Sequence, residues 1–311
     1  MSRFSNRLLS LLLAIGLFIT AVEGSPFSRI VSFGDSLADT GTAHALTGGI
    51  LPQYGGYPTD RYTNGLVWVE YLAQRLDLPI DDYAVAGAFT DDRNTADFSA
   101  LAPLNLPGLA DQIEMFLADT AEQPVGNRDL FTVIIGANDF FGFANGNSEL
   151  PYPGGVINTL AAVETLLDAG ARTVVVVLVP DFTVTPAFAG LSGEDAANLK
   201  AIVSLYNADL QDGLRALEAS HHATMVIVNM YALLNELVAN PADYGLTNVT
   251  VPALFNLPEA DTSLFWDTVH PTTYGHQLLA TYVLDSMLEV LVPGQAIGVY
   301  GNIPGWAKVK N

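Results

Sequence analysis

The sequence predicts a doubly wound α/β domain, in which helices cover both faces of a parallel sheet of about five strands. Short apolar, β-branched runs alternate along the chain with longer stretches of helical spacing, a pattern typical of strands joined by crossover helices. Residues 173–179 are almost entirely valine and leucine, as expected for a strand covered on both faces. We expect the crossovers to be right-handed.

Five segments have the length and composition of buried strands. They are residues 29–33, 80–85, 130–135, 173–179 and 224–229. Four further stretches carry apolar residues at helical spacing. They are residues 67–76, 156–169, 194–219 and 272–291.

Long connections rich in glycine, proline, asparagine and aromatic residues separate some of these elements. They span residues 38–66, 91–108, 137–153 and 180–192. Loops of this length are usually functional or disordered. Because the carboxyl ends of parallel strands meet at one edge of a sheet, we expect these loops to form the walls of a substrate site there.

The composition restricts the partners and the chemistry. The 311 residues include 33 acidic and 12 basic side chains, which gives a formal net charge of −21. This balance disfavours nucleic acids and anionic membrane surfaces as partners. The sequence contains no cysteine, which excludes disulfides, a thiolate nucleophile and cysteine-ligated metals.

The amino terminus has the pattern of a secretory signal peptide. Arg3 and Arg7 precede an apolar run over residues 8–22, and Gly24 provides a small residue at the cleavage site. Cleavage after Gly24 leaves residues 25–311, which we expect to form a single domain with no membrane span. We predict a monomer that is secreted, either extracellular or periplasmic; an uncleaved membrane anchor is the alternative.

A serine follows the first predicted strand. The tetrapeptide Gly34-Asp35-Ser36-Leu37 places Ser36 at the carboxyl end of that strand, at or near a helix N-terminus. Backbone N–H groups point outward at such a position and stabilise negative charge, so they suit the oxyanion of a serine nucleophile. Taken alone, the tetrapeptide is also compatible with an ordinary turn.

A serine nucleophile requires a base and a group that orients the base. Asp267 and His270 are three residues apart, just before the last predicted helix, so one turn places them on the same side. The other histidines lie in a loop, at the amino end of a strand or within a predicted helix, where a packed or solvated role is expected. They are His44, His221, His222 and His276.

Two segments after strands offer oxyanion donors. Asn138 lies in residues 136–139 and carries a side-chain N–H, while Gly87 lies in residues 84–88 and allows close approach of its backbone. Each also has a structural interpretation, as an asparagine in a turn and a glycine at a strand end.

Four blocks together carry a resemblance to a known family. They are residues 33–41 (FGDSLADTG), 83–88 (YAVAGA), 136–139 (GAND) and 267–272 (DTVHPT). In order and spacing they resemble the GDSL, or SGNH, hydrolase family of serine esterases and lipases, over nearly all of the mature chain. Residues 61–72 resemble the branch of plant GDSL esterases and bacterial secreted lipases and haemolysins, although Ala86 stands where that branch often has a glycine.

The resemblance implies a flavodoxin-like three-layer α/β/α sandwich and a set of residue roles. Ser36 would be the nucleophile, His270 its base and Asp267 the residue that orients the base. The N–H groups of Ser36 and Gly87 and the side chain of Asn138 would form the oxyanion hole. No metal or organic cofactor is implied.

Four other polar residues in the blocks and loops are expected to brace the site. They are Asp35, Asp39, Asn64 and Asp139. Aromatic residues in the loops suggest an apolar acyl or aryl pocket, although sugars also stack on aromatic rings. They are Tyr54, Tyr57, Tyr62, Phe140, Phe141, Phe143, Phe182, Phe188 and Phe265.

The predicted function is therefore that of a secreted serine esterase or lipase acting on a small-molecule or lipid ester. The same scaffold also suits an acyltransferase, a (lyso)phospholipase or a carbohydrate acetylesterase. A catalytically dead binding protein is a further alternative, which the complete set of site residues disfavours. Nucleotide or flavin binding is disfavoured because no glycine-rich phosphate loop follows the first strand. Asn248 begins a glycosylation sequon, which is meaningful only in a eukaryotic host.

Overall fold

Five parallel strands form the central sheet of the computed structural model, which describes residues 26–52, 56–120, 124–255 and 257–293. The strands are β1 (Arg29–Gly34), β2 (Ile80–Asp82), β3 (Asp129–Ile134), β4 (Thr173–Val177) and β5 (Thr224–Val228). They lie in the order β2-β1-β3-β4-β5, and each neighbouring pair is parallel. The predicted parallel sheet is confirmed.

Helices lie between the strands in the described part of the chain. They are α1 (Thr42–Leu46), α2 (Trp68–Leu76), α3 (Leu109–Asp119), α4 (Ala137–Ala144), α5 (Gly154–Asp168), α6 (Gly193–His221), α7 (Met230–Ala239) and α8 (Thr273–Leu291). None of these helices is long and apolar enough to span a membrane.

Each face of the sheet packs against its own hydrophobic cluster. Because successive strand residues point to opposite faces, Ile30 packs with α2, α7 and α8, whereas Val31 packs with α3, α5 and α6. The same alternation divides Leu130 from Phe131 on β3. The result is the expected three-layer α/β/α sandwich.

The predicted strand over residues 80–85 is too long. Only Ile80–Asp82 pair regularly with β1. The amides of Tyr83 and Val85 still donate to β1 carbonyls, so the contact continues past Asp82. It is no longer a regular ladder, because the Gly34 N–H of β1 donates to the side chain of Gln112 at 2.9 Å and not to a carbonyl of this segment.

The prediction of a loop over residues 137–153 is wrong for its first half, which forms α4. This helix begins after Gly136, whose φ of +111° lets the chain turn sharply out of β3. Burial of Phe140 against the core outweighs the weak helix propensity of a segment rich in glycine, asparagine and aromatic residues. Helices α1, α3 and α7 were also not predicted.

The predictions of a signal peptide and of a single domain are not tested by the described residues. The proposed signal peptide, residues 1–24, lies outside the described part of the chain. The single-domain prediction for residues 25–311 stays a prediction.

One histidine, His276, is fully buried in α8, so the packed interpretation of this residue is correct. Its Nδ1 accepts the backbone N–H of Trp68 at 3.3 Å, while Nε2 has no partner within the described residues. Burial lowers the pKa of His276 to about 3, and the nearby charge of His270 acts in the same direction. The folded protein therefore keeps this side chain neutral.

Replacing His276 by glutamine should make stability less dependent on pH. The histidine pKa is lowered by folding, so below the ordinary value near 6.5 the unfolded chain binds a proton that the folded protein refuses. Between pH 7 and 5 this residue should reduce the free energy of unfolding by about 2 kcal/mol. Urea unfolding at both pH values measures the difference, and an equal pH dependence in wild type and His276→Gln would contradict the assignment.

Candidate active site

Ser36 lies directly beyond β1, at the carboxyl edge of the sheet. Gln112 of α3 binds both backbone groups of Gly34: its side-chain N–H donates to the Gly34 carbonyl and its carbonyl accepts the Gly34 N–H, each at 2.9 Å. Gly34 has φ of +147°, and a Cβ at this position would clash with the carbonyl oxygen of Ile134 on β3. The end of the strand that carries Ser36 is therefore fixed on both sides.

The hydroxyl of Ser36 contacts His270, which lies 234 positions further along the chain. The Ser36 Oγ and the His270 Nε2 are 2.8 Å apart. On the other side of the ring, Nδ1 of His270 lies 2.6 Å from Oδ2 of Asp267. An ionised carboxylate only accepts, so Nδ1 carries the imidazole proton and Nε2 is free to accept the proton of Ser36.

Asp267 accepts four hydrogen bonds. Its Oδ1 accepts the N–H groups of Val269 and His270, both at 2.8 Å. Its Oδ2 accepts from Nδ1 of His270 and from the hydroxyl of Tyr57, both at 2.6 Å. Burial alone raises the pKa of Asp267, but the charge of His270 and these hydrogen bonds outweigh it and hold the pKa well below its ordinary value.

A short antiparallel contact holds the turn that carries Asp267 and His270. The Trp266 N–H donates to the His270 carbonyl at 2.8 Å, and Phe265 pairs with Pro271 across the turn. Asp267 and His270 therefore lie on the same side of one turn, as their three-residue spacing predicts. A backbone hydrogen bond closes that turn.

Asn64 links this turn to the loop before α2. Its side-chain oxygen accepts the N–H of Thr273, the first residue of α8, at 2.8 Å. Next to it, Thr63 donates its hydroxyl to the Pro271 carbonyl at 2.9 Å. Asn64 thus accepts a hydrogen bond from one of the backbone N–H groups that a helix leaves unpaired at its N-terminus.

Two backbone amides near the serine are available for an anion. Within the described part of the chain, the N–H groups of Ser36 and Gly87 donate to no protein acceptor. Asn138, in the first turn of α4, donates one side-chain N–H to the Ala88 carbonyl at 3.0 Å. A carboxamide has two N–H donors, so the second remains for a ligand.

Gly87 has a conformation that favours glycine. Its φ is +87°, and a Cβ would approach the side chains of Asn94 and Thr95 too closely. The Gly87 carbonyl accepts the Thr95 N–H at 2.9 Å, and Asn94 donates to the Ala86 carbonyl at 3.1 Å. These contacts hold the loop on both sides of the Gly87 N–H.

Buried carboxylates brace the surrounding loops. Asp39 accepts the N–H groups of Gly41, Thr42 and Ala43 at the start of α1, and the N–H of Ala86 at 2.8 Å. Burial raises the pKa of Asp39, and these four amides oppose the rise. One carboxylate therefore joins the loop after Ser36 (the serine loop) to the loop that contains Gly87 (the glycine loop).

Asp139 and Asp35 are further buried acids near the serine. Asp139 accepts the N–H and the hydroxyl of Thr90, at 3.1 and 2.6 Å, which ties α4 to the glycine loop; burial raises its pKa to about 6. Asp35 accepts the Leu37 N–H at 3.0 Å, and burial raises its pKa to about 7. The four bracing residues expected from the sequence thus all hold backbone at the edge of the site.

The predicted loop aromatics divide between core and site. Three of them are buried in the hydrophobic clusters or beside them: Phe140, Phe182 and Phe265. Phe141 and Phe188 stack with ring centroids 5.6 Å apart, while Phe143 is 48% exposed. Tyr54 lies outside the described residues.

Sequence reasoning missed several contacts around the site. The residues concerned are Tyr57, Asp82, Thr90, Asn94 and Gln112, of which Tyr57 was noted only as an aromatic residue. The partners of Tyr57, Thr90 and Gln112 lie 210, 49 and 78 positions away, so no local spacing could reveal these contacts. Within the described residues, no group of three or more histidine, aspartate or glutamate side chains is arranged to hold a metal ion.

The family model for GDSL-like lipases and acylhydrolases matches residues 30–283. This chain belongs to that family. It is 27% identical over 290 residues to the thermolabile hemolysin of Vibrio parahaemolyticus, covering 86% of this chain and 65% of the hemolysin. It is 26% identical over 268 residues to the secreted effector protein SseJ of Salmonella typhimurium, covering 81% of this chain and 62% of SseJ.

A third relative is the phosphatidylcholine-sterol acyltransferase of Aeromonas hydrophila. It is 27% identical over 240 residues, covering 75% of this chain and 68% of the acyltransferase. The chain thus spans slightly less than two thirds of the hemolysin and of SseJ.

Proposed function

We propose that this protein is a secreted serine hydrolase of carboxylic esters, with Ser36 as nucleophile, His270 as base and Asp267 as the residue that orients the base. The observation that carries the proposal is the hydrogen-bonded chain from Ser36 through His270 to Asp267, with distances of 2.8 and 2.6 Å. Family membership supports the same chemistry, since the family is described as lipases and acylhydrolases.

In the first half-reaction, Nε2 of His270 takes the Ser36 proton as Oγ attacks the ester carbonyl. The carbonyl oxygen becomes an oxyanion, which the N–H groups of Ser36 and Gly87 and the free N–H of Asn138 stabilise. His270 then gives its proton to the alcohol, which leaves, and Ser36 holds the acyl group. A water molecule activated by His270 releases the acid and restores Ser36.

An apolar acyl group fits the side of the site next to residues 182–188. The Ala187 N–H donates to the Thr268 carbonyl at 2.9 Å, so this segment borders the turn that carries His270. Phe188 of the same segment stacks on Phe141 of α4. Aromatic surface in a segment that borders this turn would contact an acyl chain longer than an acetyl group.

Secretion and a monomeric state belong to the same proposal. The basic, apolar and small-residue pattern of residues 1–24 supports export. One relative carries the description of a secreted effector protein, which agrees with it.

Acyl transfer to an alcohol is the second candidate function. It differs only in the acceptor of the acyl group, and one relative is a phosphatidylcholine-sterol acyltransferase. Adding a competing alcohol to the assay separates the two. A hydrolase should release mainly free acid, whereas an acyltransferase should form the new ester as its main product.

Replacing Ser36 by alanine should abolish hydrolysis of a short p-nitrophenyl ester, because the Oγ that forms the acyl-enzyme is absent. The variant should also resist a fluorophosphonate probe that labels the wild type. Undiminished turnover in Ser36→Ala would contradict the mechanism. A folded wild type that resists the probe would favour a binding protein on a hydrolase scaffold.

Replacing Asn138 by alanine should lower kcat by about 10²–10³-fold with little change in KM, as expected for loss of one oxyanion donor. Steady-state kinetics on the same ester measures the effect. Asn145→Ala is a suitable control, since this exposed residue caps the other end of α4. Equal effects of the two substitutions would show that Asn138 acts only through the helix.

A further inference from the structure

Tyr57 and His270 bind the same oxygen of Asp267. The Tyr57 hydroxyl donates to Oδ2 at 2.6 Å, and Nδ1 of His270 lies 2.6 Å from that same atom. The other carboxylate oxygen is already occupied by the N–H groups of Val269 and His270. Tyr57 is therefore the one side chain in the described residues that shares the negative charge of Oδ2 with the imidazole.

The position of Tyr57 is fixed by two loops. The preceding residue, Gly56, lies so close to Leu254 that a Cβ there would be 2.6 Å from its Cδ1. Tyr57 also packs against a small apolar cluster that includes Trp266, the residue before Asp267. The phenol thus reaches Asp267 from a segment outside the turn, and packing against the apolar cluster holds it there.

Two aromatic rings enclose the imidazole and its partner on this side. The Tyr62 ring lies 5.1 Å from the His270 ring and 5.5 Å from the Tyr57 ring, between centroids. Burial raises the pKa of Tyr57 above its ordinary value, and the hydrogen bond to Asp267 adds to the rise, so the phenol stays a donor.

The other titratable groups that act on this pair are few. Asp35 and His276 interact electrostatically with His270, from the serine loop and from α8 respectively. Asp39 acts on Tyr62. None of these three forms a hydrogen bond with Asp267 or His270 in the described residues, so Tyr57 is the neighbour that directly withdraws charge from Oδ2.

We propose that Tyr57 is a positioning residue that acts through Asp267: by donating to Oδ2, it limits how strongly the carboxylate stabilises the protonated imidazole. The acidic limit of the proposed activity should therefore depend on this phenol. The inference rests on the proposed function, because it concerns the same pair.

The test is the pH dependence of kcat/KM for a short p-nitrophenyl ester in the wild type and in Tyr57→Phe. Without the phenol, Oδ2 carries more charge and holds imidazolium more firmly. The acidic midpoint should rise by about 0.5–1 pH unit, so activity well below the midpoint falls about 3–10-fold, while the plateau above it changes less than about twofold.

The matched control is Tyr152→Phe. Tyr152 donates to Asp209 at 2.6 Å, the length of the Tyr57 contact, but on an exposed part of the molecule between the start of α5 and α6. It should leave the midpoint unchanged. Tyr57→Leu removes the donor in a second way and should move the midpoint in the same direction as Tyr57→Phe.

A uniform loss of activity at all pH values, with an unmoved midpoint, would assign Tyr57 a packing role and overturn the inference. An unmoved midpoint in a fully active variant would overturn it as well. Neither result affects the proposed function, which fails only if the wild type lacks esterase activity or Ser36→Ala retains it.

Discussion

The arrangement of the site depends on one carboxylate, that of Asp267. It is surrounded by donors, two from its own turn, one from the imidazole and one from a distant phenol. A buried charge is stable only when it is paired and hydrogen-bonded, and these donors satisfy that requirement. In return the carboxylate shapes the turn, fixes the tautomer of His270 and directs Nε2 to the serine. Removing it would leave these donors without a partner and the His270 imidazole without a group that orients it.

Carboxylates that accept several hydrogen bonds also hold the loops that carry the remaining site residues. Asp39 and Asp139 each accept backbone N–H groups from a second segment, and in both cases burial raises the carboxyl pKa while the amides oppose it. A small hydrophobic cluster that includes Leu51, Val85 and Leu106 packs parts of these loops together. The carboxylates add to that packing by binding a backbone N–H group of a second segment.

The sequence predicts the parts of the site whose geometry depends on residues close together in the chain. The strand before Ser36 and the three-residue spacing of Asp267 and His270 both encode local geometry, and both have the predicted form. The length of β2 and the helical state of residues 137–144 depend instead on the Gln112 side chain that binds Gly34 and on the burial of Phe140, which are tertiary effects. For the same reason the pairing of Tyr57 with Asp267, 210 positions apart, has no local signal.

The contact between Ser36 and His270 joins the first strand of the sheet to the turn before the last helix. The two side chains are 234 positions apart, so no partly folded segment of the chain contains this contact by itself. A chain cut before Asp267 lacks both members of the turn, and Ser36 would then have no imidazole beside it. The contact is therefore a marker of complete folding, because it forms only when the first strand and the last turn meet at one edge of the sheet.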